Sequence, residues 1–467
     1  MEDDFDFEFS EDPKLSVERY EEMLRNHDQY FFDALAFENI IDYYMDKGDH
    51  LKAMQVIEYA VKQHPYATIF HIKKAQLHLF ANEVEQAFES LEKAELLEPS
   101  DADVYLVKGN IFESLERHEE ALEYLKKALE LADAKDEVLM QIVFVYQNMG
   151  DYEQAVAYLK QCLEINMENQ DALYELAFCY DVLDKQEESI QFYQQFIDND
   201  PYSFAAWYNL GNAYHKLELY EKAIDAYDYA ILIKDNFASA YFNKGHALSQ
   251  LNRHQEAINV YRETFEYEAP NADVYCAIGE CYEKLQRMDD ARSYYKKAVK
   301  MDPEMADAWF GIGATLEFEE RYFESLHFFK KALDLDNENP DFWYAIADAH
   351  FKLGNFEESN AAYDKVLDLD PLDVDAWLDY AGMAFTAQDC KRSIEIVSEG
   401  IKNNPDFADL YYRLVAYLLV DGQYNEALAQ LQTALSVDAN KHYLLFEYLP
   451  QLENNQTIWD VIKGFHK

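Results

Sequence analysis

The chain has 467 residues, of which 49% are apolar and 15% aromatic, with only 13 Gly and 10 Pro. This composition excludes a disordered chain and favours helices over hairpins and long linkers. The 91 acidic and 40 basic side chains leave a formal net charge of −51, which argues against direct binding to nucleic acid or to anionic membranes. The charge either keeps the protein soluble or attracts partners that carry basic segments.

The first 13 residues are predicted to be an acidic disordered tail. Phe5, Phe7 and Phe9 alternate with acidic residues there, so a docking motif, or a plug that folds into the protein's own groove, is the alternative. The segment lacks the apolar centre of a secretory signal, and no part of the chain has the roughly 18 consecutive apolar residues of a membrane span. We therefore expect a cytoplasmic protein. Residues 14–33 are predicted to form an amphipathic N-terminal capping helix.

Residues 34–441 form twelve tandem repeats of equal length, thirty-four residues each, without an insertion. One position of the repeat is always Ala or Ser. It is occupied by Ala53, Ala87, Ala121, Ala155, Ser189, Ala223, Ala257, Ala291, Ser325, Ser359, Ser393 and Ala427. Four residues later the side chain is always large and apolar, as in Ile57, Tyr227 and Phe329.

Each repeat contains two apolar runs at helical spacing, separated by a short polar turn. The small residues are expected where the two antiparallel helices cross most closely, because a larger side chain would force the helices apart. Since one helix pair cannot bury both of its faces, neighbouring repeats must stack into a continuous core.

The repeat beginning near Ala206 carries the pattern W-x-x-L-G-x-x-Y…A-x-x-x-Y-x-x-A, from Trp207 to Ala230. This pattern resembles the tetratricopeptide repeat, and the resemblance covers about nine-tenths of the chain. It implies an all-α fold, a right-handed superhelical solenoid of antiparallel helix pairs whose first helices line a concave groove. Single positions depart from the pattern, including Ile41, Val143 and Val415 at the small site of the first helix.

Residues 442–467 are predicted to be C-terminal capping helices. Trp459, Ile462 and Phe465 would share one apolar stripe, which either covers the last repeat or docks a partner helix.

In the tetratricopeptide-repeat family, peptide ligands touch a fixed set of positions on the first helix of each repeat. The resemblance places at these positions Phe144, Tyr174, Phe178, Tyr208, Asn209, Asn212, His215, Phe242, Asn243, His246, Phe310, Tyr344, Asp348, Phe351, Leu378, Phe385 and Tyr412. We call these the predicted groove residues. Their aromatic rings either bind a partner or pack against the neighbouring second helix.

Asn209 and Asn243 occupy the same groove position in adjacent repeats. Because an amide both donates and accepts, such residues can hold the backbone of an extended peptide, and they are similar to the asparagine ladders of peptide-binding members of the family. The Lys, Asn and Arg clamp that holds a terminal carboxylate in chaperone-binding members is not matched, since Tyr, Phe, Asp and Glu fill its basic positions. Segments with apolar anchors and basic flanks therefore suit the groove better.

No catalytic or phosphate-binding motif occurs, and the five cysteines have the irregular spacing of free thiols rather than of disulfides or a zinc site. We expect no enzyme activity, no cofactor and no metal. The sequence predicts a scaffold or adaptor that binds extended or helical segments of other proteins in its groove. A holding chaperone for basic or unfolded clients, and a non-catalytic regulatory subunit of an enzyme, are the alternatives.

Overall fold

The computed structural model describes residues 13–465, so Phe5, Phe7 and Phe9 lie outside the described residues. The chain divides into two compact units, with unit 1 ending at Asp235 and unit 2 beginning at Asn236. Unit 1 contains the helices α1 (Pro13–Asn26), α2 (Ala34–Asp46), α3 (His50–Gln63), α4 (Thr68–Phe80), α5 (Val84–Leu97), α6 (Ala102–Ser114), α7 (His118–Leu131), α8 (Lys135–Asn148), α9 (Tyr152–Ile165), α10 (Gln170–Val182), α11 (Gln186–Asn199), α12 (Phe204–Lys216) and α13 (Tyr220–Ile233).

Unit 2 contains the helices α14 (Ala238–Gln250), α15 (His254–Glu263), α16 (Ala272–Lys284), α17 (Met288–Met301), α18 (Ala306–Phe318), α19 (Tyr322–Leu335), α20 (Pro340–Lys352), α21 (Phe356–Leu369), α22 (Val374–Thr386), α23 (Cys390–Asn403), α24 (Ala408–Val420), α25 (Tyr424–Asp438), α26 (Tyr443–Tyr448) and α27 (Gln456–Phe465). Three short 3₁₀ segments span Thr264–Glu266, Ala439–His442 and Pro450–Asn454. No helix within residues 13–465 is long and apolar enough to cross a lipid bilayer.

Consecutive helices pack in pairs within each unit, from α2 with α3 to α12 with α13 and from α14 with α15 to α24 with α25. The second helix of every pair begins one full repeat length after the second helix of the pair before it, and the first helices keep the same interval to within one residue. The described residues contain no strand. The prediction of an all-α fold built from antiparallel helix pairs is confirmed.

The two helices of each pair cross at small residues, as predicted. All twelve Ala or Ser residues of the second-helix site are buried. On the first helix, a Cβ added to Gly211 would lie 2.5 Å from Cε1 of Tyr227, and one added to Gly313 would lie 2.5 Å from the ring of Phe329. Tyr227 and Phe329 belong to the large apolar site of the second helix, so each small residue makes room for a ring of its own pair.

A left-handed residue ends the first helix of every pair. These residues have φ between 55° and 83° and recur once per repeat, as Gly48, Asn82, Glu116, Gly150, Asp184, Glu218, Asn252, Gln286, Glu320, Gly354, Gln388 and Gly422. After α2, for example, the N–H of Gly48 donates to the carbonyl of Met45 (2.9 Å) and the N–H of Asp49 to that of Tyr44 (2.9 Å). This backbone conformation turns the chain into the second helix.

Aromatic residues near the start of the first helices hold the turn that precedes each of them. The indole N–H of Trp207 donates to the carbonyl of Pro201 (3.0 Å), and Trp377 makes the same bond to Pro371 (3.0 Å). The hydroxyl of Tyr105 bonds in this way to Pro99 (2.9 Å). Each of these bonds ties one helix pair to the turn before it.

The terminal helices place apolar faces against the neighbouring pairs. In α1, Val17, Tyr20 and Met23 are buried in the same cluster as residues of α2. In α27, Ile462 is buried, Trp459 is partly buried and stacks on Phe446 at 5.0 Å between ring centroids, and Phe465 is 46% exposed. The apolar faces of α1 and α27 thus lie against neighbouring helices, and the capping role of the two ends stays a prediction.

Candidate functional site

The predicted groove residues lie on the first helices of both units. In unit 1 the two most exposed of them are Phe144 on α8 and Phe178 on α10, which are 53% and 51% exposed. Phe178 meets the ring of Tyr152 edge to face, with centroids 6.1 Å apart. These two rings occupy the same position of adjacent first helices, and exposed apolar surface of this kind is typical of interaction sites.

Further along unit 1, the aromatic residues are half-buried. Tyr174 and Tyr208 meet edge to face at 6.4 Å, and Tyr208 also packs against Tyr227 at 5.9 Å. Tyr227 donates its hydroxyl to Oδ1 of Asn212 (2.9 Å). His215 lies edge to face on Tyr220 at 5.2 Å, and burial lowers its pKa. The histidine is therefore neutral at physiological pH.

Asn209 is not a groove residue, and the prediction for it is wrong. Its side chain is 2% exposed, and its amide donates to the carbonyl of Leu173 on α10 (3.0 Å). The hydroxyl of Tyr193 donates to the same carbonyl at 2.8 Å. The amide thus joins two helix pairs inside unit 1, and a bound peptide cannot reach it.

In unit 2, Phe242 and His246 form an aromatic cluster with Tyr261 from the second helix of the pair. Phe242 meets His246 edge to face at 4.6 Å, and both rings lie 5.6 Å from that of Tyr261. Asn243 on the same helix is half-buried.

Several other groove rings of unit 2 are partly taken up by packing. Phe310 lies 5.3 Å from Phe329 and 4.9 Å from Phe342, and Phe351 lies 5.9 Å from Phe356. Phe310 and Phe351 are half-buried, as is Leu378. Much of the surface of these three side chains is therefore covered by packing within the protein, as the packing alternative predicts.

Phe385 and Tyr412, the last two rings of the predicted set along the chain, differ in accessibility. Phe385 stacks on Tyr417 at 4.9 Å and keeps 36% of its surface exposed. Tyr412 is fully buried and donates its hydroxyl to the carbonyl of Asp438 (2.9 Å). The groove prediction for Tyr412 is therefore wrong, because its ring fills the core of the last pair.

The structure adds a group of acidic side chains to the first-helix face of unit 2. On α16, burial raises the pKa of Glu280 and of Glu283, and Glu283 accepts the hydroxyl of Tyr295 at 2.8 Å. On α18, burial and the nearby Asp348 raise the pKa of Glu317 to about 7. Burial likewise raises the pKa of Asp348 on α20.

Only Asp348 of this acidic group is among the predicted groove residues. The other carboxylates could not be distinguished among 91 acidic residues, because their sequence context does not reveal how deeply they are buried. The sequence signal that could have identified two of them is their position: Glu283 and Glu317 lie one repeat apart, at the first-helix position that His215 occupies in unit 1.

Among the cavities of the described residues, two lie between successive second helices and the first helix that joins them, rather than on the predicted groove. One of about 460 Å³ in unit 1 is lined by residues that include Trp207, Tyr214 and Tyr229, and one of about 690 Å³ in unit 2 by residues that include Trp377 and Arg392. No predicted groove residue lines either cavity. Within residues 13–465, no group of three or more His, Cys, Asp or Glu side chains is arranged to hold a metal ion.

Sequence profiles described as tetratricopeptide repeats match residues 102–133, 148–195, 204–237, 242–304, 284–340 and 344–406. Together these matches cover more than half of the chain. A comparison with curated protein sequences gives no match.

Solved structures of other tetratricopeptide-repeat proteins resemble the chain. YrrB, described as a TPR protein with an unusual peptide-binding site, is 22% identical over 42% of this chain and 97% of its own, with a TM-score of 0.33. The structure of the APC/C hetero-tetramer Cut9–Hcn1 matches 87% of this chain and 93% of its own at 13% identity and a TM-score of 0.44. The C-terminal part of a TPR repeat-containing protein from Cytophaga hutchinsonii is 17% identical over 52% of this chain and 99% of its own, with a TM-score of 0.43.

The paired helices, the small residues at their crossings and the constant repeat length define a class of helical-repeat protein, generally non-catalytic, that acts as a scaffold for protein interactions. The repeat profiles identify the family within this class. The chain belongs to the tetratricopeptide-repeat family.

Proposed function

We propose that the protein is an adaptor that binds segments of partner polypeptides on the first-helix faces of its two units. The observation that carries this proposal is the exposure of Phe144 and Phe178, each more than half exposed on adjacent helix pairs. Covering such rings removes apolar surface from water, and aromatic side chains often dominate the binding energy of an interface.

The charge of the protein defines the preferred partner. A net charge of −51 speeds the approach of a basic segment and repels an acidic one. The proposed ligand is therefore an extended or helical segment with apolar anchors for the rings and basic residues beside them. Acidic peptides and nucleic acid are expected to bind poorly.

The test is the double variant Phe144→Ala, Phe178→Ala. Partners are first identified by affinity purification from the native cell and mass spectrometry, and one is then purified for calorimetric titration. We expect the double variant to weaken binding by at least tenfold, since hot-spot rings contribute about 2 kcal/mol or more each. Circular dichroism should show unchanged helicity because both side chains are largely exposed.

Tyr202→Ala is the matched control. Tyr202 is an aromatic residue of the same unit that is 81% exposed, but it lies in the turn between α11 and α12. We expect this variant to bind partners normally. Equal binding by the double variant and the wild-type protein would remove the first-helix face of unit 1 from the proposal.

A holding chaperone is the second candidate, and the same large negative charge favours it. The two functions differ in selectivity and in their response to salt. An adaptor should bind few partners and keep much of its affinity at about 0.5 M NaCl, because buried aromatic contacts are not screened. A holding chaperone should capture many unrelated basic proteins and release them at that salt concentration.

A further inference from the structure

Basic side chains form a row across three successive second helices of unit 2. Arg262 on α15, Lys296 on α17 and Lys330 on α19 occupy the same position of adjacent repeats, and all three are exposed. Lys297 and Lys331 each follow a member of this row. We call these five residues the basic stripe. In a chain with 91 acidic and 40 basic residues, the stripe is a local exception to the general charge.

The basic stripe is not neutralised by ion pairs with the described residues. The same three helices begin with basic residues that are neutralised, again once per repeat. These ion pairs are Arg253–Glu256 (2.8 Å), Arg287–Asp290 (2.7 Å) and Arg321–Glu324 (2.6 Å). Each helix therefore supplies an acid for the cation at its beginning and none for the stripe.

Acidic residues also occur close to the stripe along the chain. Glu263 follows Arg262, and Asp334 lies one turn after Lys330 on α19. Both acids are exposed, and neither forms an ion pair with the stripe. Lys300, one turn after Lys296 on α17, adds a further exposed cation. The charge of this part of the second-helix face is therefore positive.

Aromatic rings hold the cations of the stripe in place. Nζ of Lys297 lies 4.1 Å from the ring centroid of Tyr294, and Nζ of Lys331 lies 4.1 Å from that of Trp309. Arg262 donates through Nη2 to the hydroxyl of Tyr294 at 3.0 Å. A ring face attracts a cation without removing its positive charge. The stripe can therefore still donate hydrogen bonds to an anion that approaches from solvent.

We infer that the basic stripe binds an extended acidic segment of a partner protein. The carboxylates of that segment would accept hydrogen bonds from Arg262, Lys296 and Lys330, and the positive face would favour this segment over neutral or basic ones. The stripe lies on second helices, whereas the predicted groove residues lie on first helices. The inference therefore goes beyond the proposed function and does not depend on it.

The repeat sets the spacing of the acids in the bound segment. Packed helices lie about 8–10 Å apart, so successive cations of the row should be separated by about 10 Å. An extended chain advances about 3.3 Å per residue. A segment that crosses α15, α17 and α19 should therefore carry an acidic residue at every third position.

A nucleic acid also carries negative charges at regular intervals, but the charge of the whole chain favours a short acidic segment. The net charge of −51 repels a long polyanion more strongly than a peptide with a few carboxylates. An oligonucleotide therefore serves as a competitor in the experiment.

The experiment uses the full chain and three labelled synthetic peptides that are otherwise identical. The first has glutamate at every third position, the second has the same glutamates side by side, and the third has glutamine in place of the spaced glutamates. Fluorescence anisotropy at about 20 mM NaCl measures binding. We expect the spaced glutamates to bind roughly tenfold more tightly than the glutamine peptide and severalfold more tightly than the adjacent glutamates. This preference should disappear at about 0.5 M NaCl, because exposed charges are screened.

A double variant locates the binding to the stripe. Lys296→Gln with Lys330→Gln should weaken binding of the spaced peptide at least about fivefold, and unchanged circular dichroism is expected because both side chains are exposed. Lys391→Gln with Lys402→Gln is the matched control, since it removes the same charge from exposed lysines of α23 in the same unit. The control should bind the peptide as the wild type does.

Equal affinity for the spaced and glutamine peptides, or an equal loss of affinity in the two double variants, would overturn the inference. So would equal affinity for the spaced and adjacent glutamates, or tighter binding of a single-stranded oligothymidylate than of the spaced peptide. Self-association of the full chain that Lys296→Gln with Lys330→Gln abolishes would assign the stripe to a second copy and also overturn it. The proposed function fails separately, through unchanged partner binding by the Phe144 and Phe178 double variant.

Discussion

At the scale of single residues, the repeat places one residue type in two different roles. Asn209 and Asn243 occupy the same position of adjacent repeats, yet Asn209 is buried with its amide bonded to the backbone of α10, and Asn243 is half-buried. The sequence positions are equivalent, whereas the surroundings are set by side chains from neighbouring helices, such as Tyr193 beside Asn209. Accessibility is therefore a property of the packed residue and cannot be transferred between repeats.

The substitution Asn209→Ala tests the structural role of this amide. It removes a buried hydrogen bond and leaves the carbonyl of Leu173 with Tyr193 as its remaining side-chain donor. We expect a loss of about 1–2 kcal/mol in the free energy of unfolding, measured by denaturant titration followed by circular dichroism. Partner affinity at room temperature should be unchanged. A stable variant with weakened binding would instead return Asn209 to the groove.

At the scale of the helix pair, the turn is the most regular element in the molecule. All twelve left-handed residues recur at one interval, although only four of them are glycine. The sequence predicted a short polar turn in every repeat, but it does not mark the left-handed position where the residue is neither Gly nor Asn. Where Glu, Asp or Gln stands there, only the backbone reveals the left-handed conformation, because packing of the two helices imposes it against the local preference of the residue.

The substitutions Glu320→Gly and Gly354→Ala test whether the left-handed conformation limits the stability of the turn. They should change the free energy of unfolding in opposite directions. Glu320 has φ of 60° and is exposed, so replacing it with glycine should remove a backbone strain of about 1–2 kcal/mol. The greater conformational freedom that glycine gives the unfolded chain offsets part of this gain. We expect a net gain of up to about 1 kcal/mol in unfolding free energy.

Gly354 has φ of 78°, and an added Cβ would meet no atom within 4 Å. Alanine there should therefore cost about 1 kcal/mol through backbone strain alone. Thermal unfolding of both variants measures the two changes. Stabilisation by Gly354→Ala, or destabilisation by Glu320→Gly, would show that the left-handed position is not what limits the turn.

At the scale of the whole molecule, charge opposes the packing of the helix pairs. The 91 acidic residues repel one another at neutral pH, and several of them are partly buried on the first-helix face of unit 2. Burial raises the pKa of Glu280, Glu283, Glu317 and Asp348 above the ordinary values of these carboxyls. Each of these groups binds its proton more tightly in the folded protein than in the unfolded chain.

The contribution of these four carboxyls to the stability of the protein should therefore decrease with rising pH. For a carboxyl whose folded-state pKa is raised, the contribution is complete below the unfolded pKa and is lost as the pH rises through the folded value; for Glu317 the loss is centred near pH 7. Burial lowers the pKa of His71, His215, His254 and His350, and these histidines act in the opposite direction. Calorimetric melting at pH 6 and pH 8 in buffers of equal ionic strength is therefore compared between the wild type and Glu317→Gln, and the midpoint of the wild type should fall further, or rise less, than that of the variant. An equal change of midpoint in the two proteins would contradict the prediction.

The constant repeat length in the sequence alone determined the all-α class, the pairing of helices and the family. These features depend on residue size and apolarity repeated at helical spacing, which the sequence displays directly. It did not determine which positions of the repeated face are accessible. The side chains contributed by adjacent helices decide that Phe178 is exposed, that Asn209 and Tyr412 are buried, and that Glu317 lacks a hydroxyl partner. Only the tertiary structure brings those side chains together.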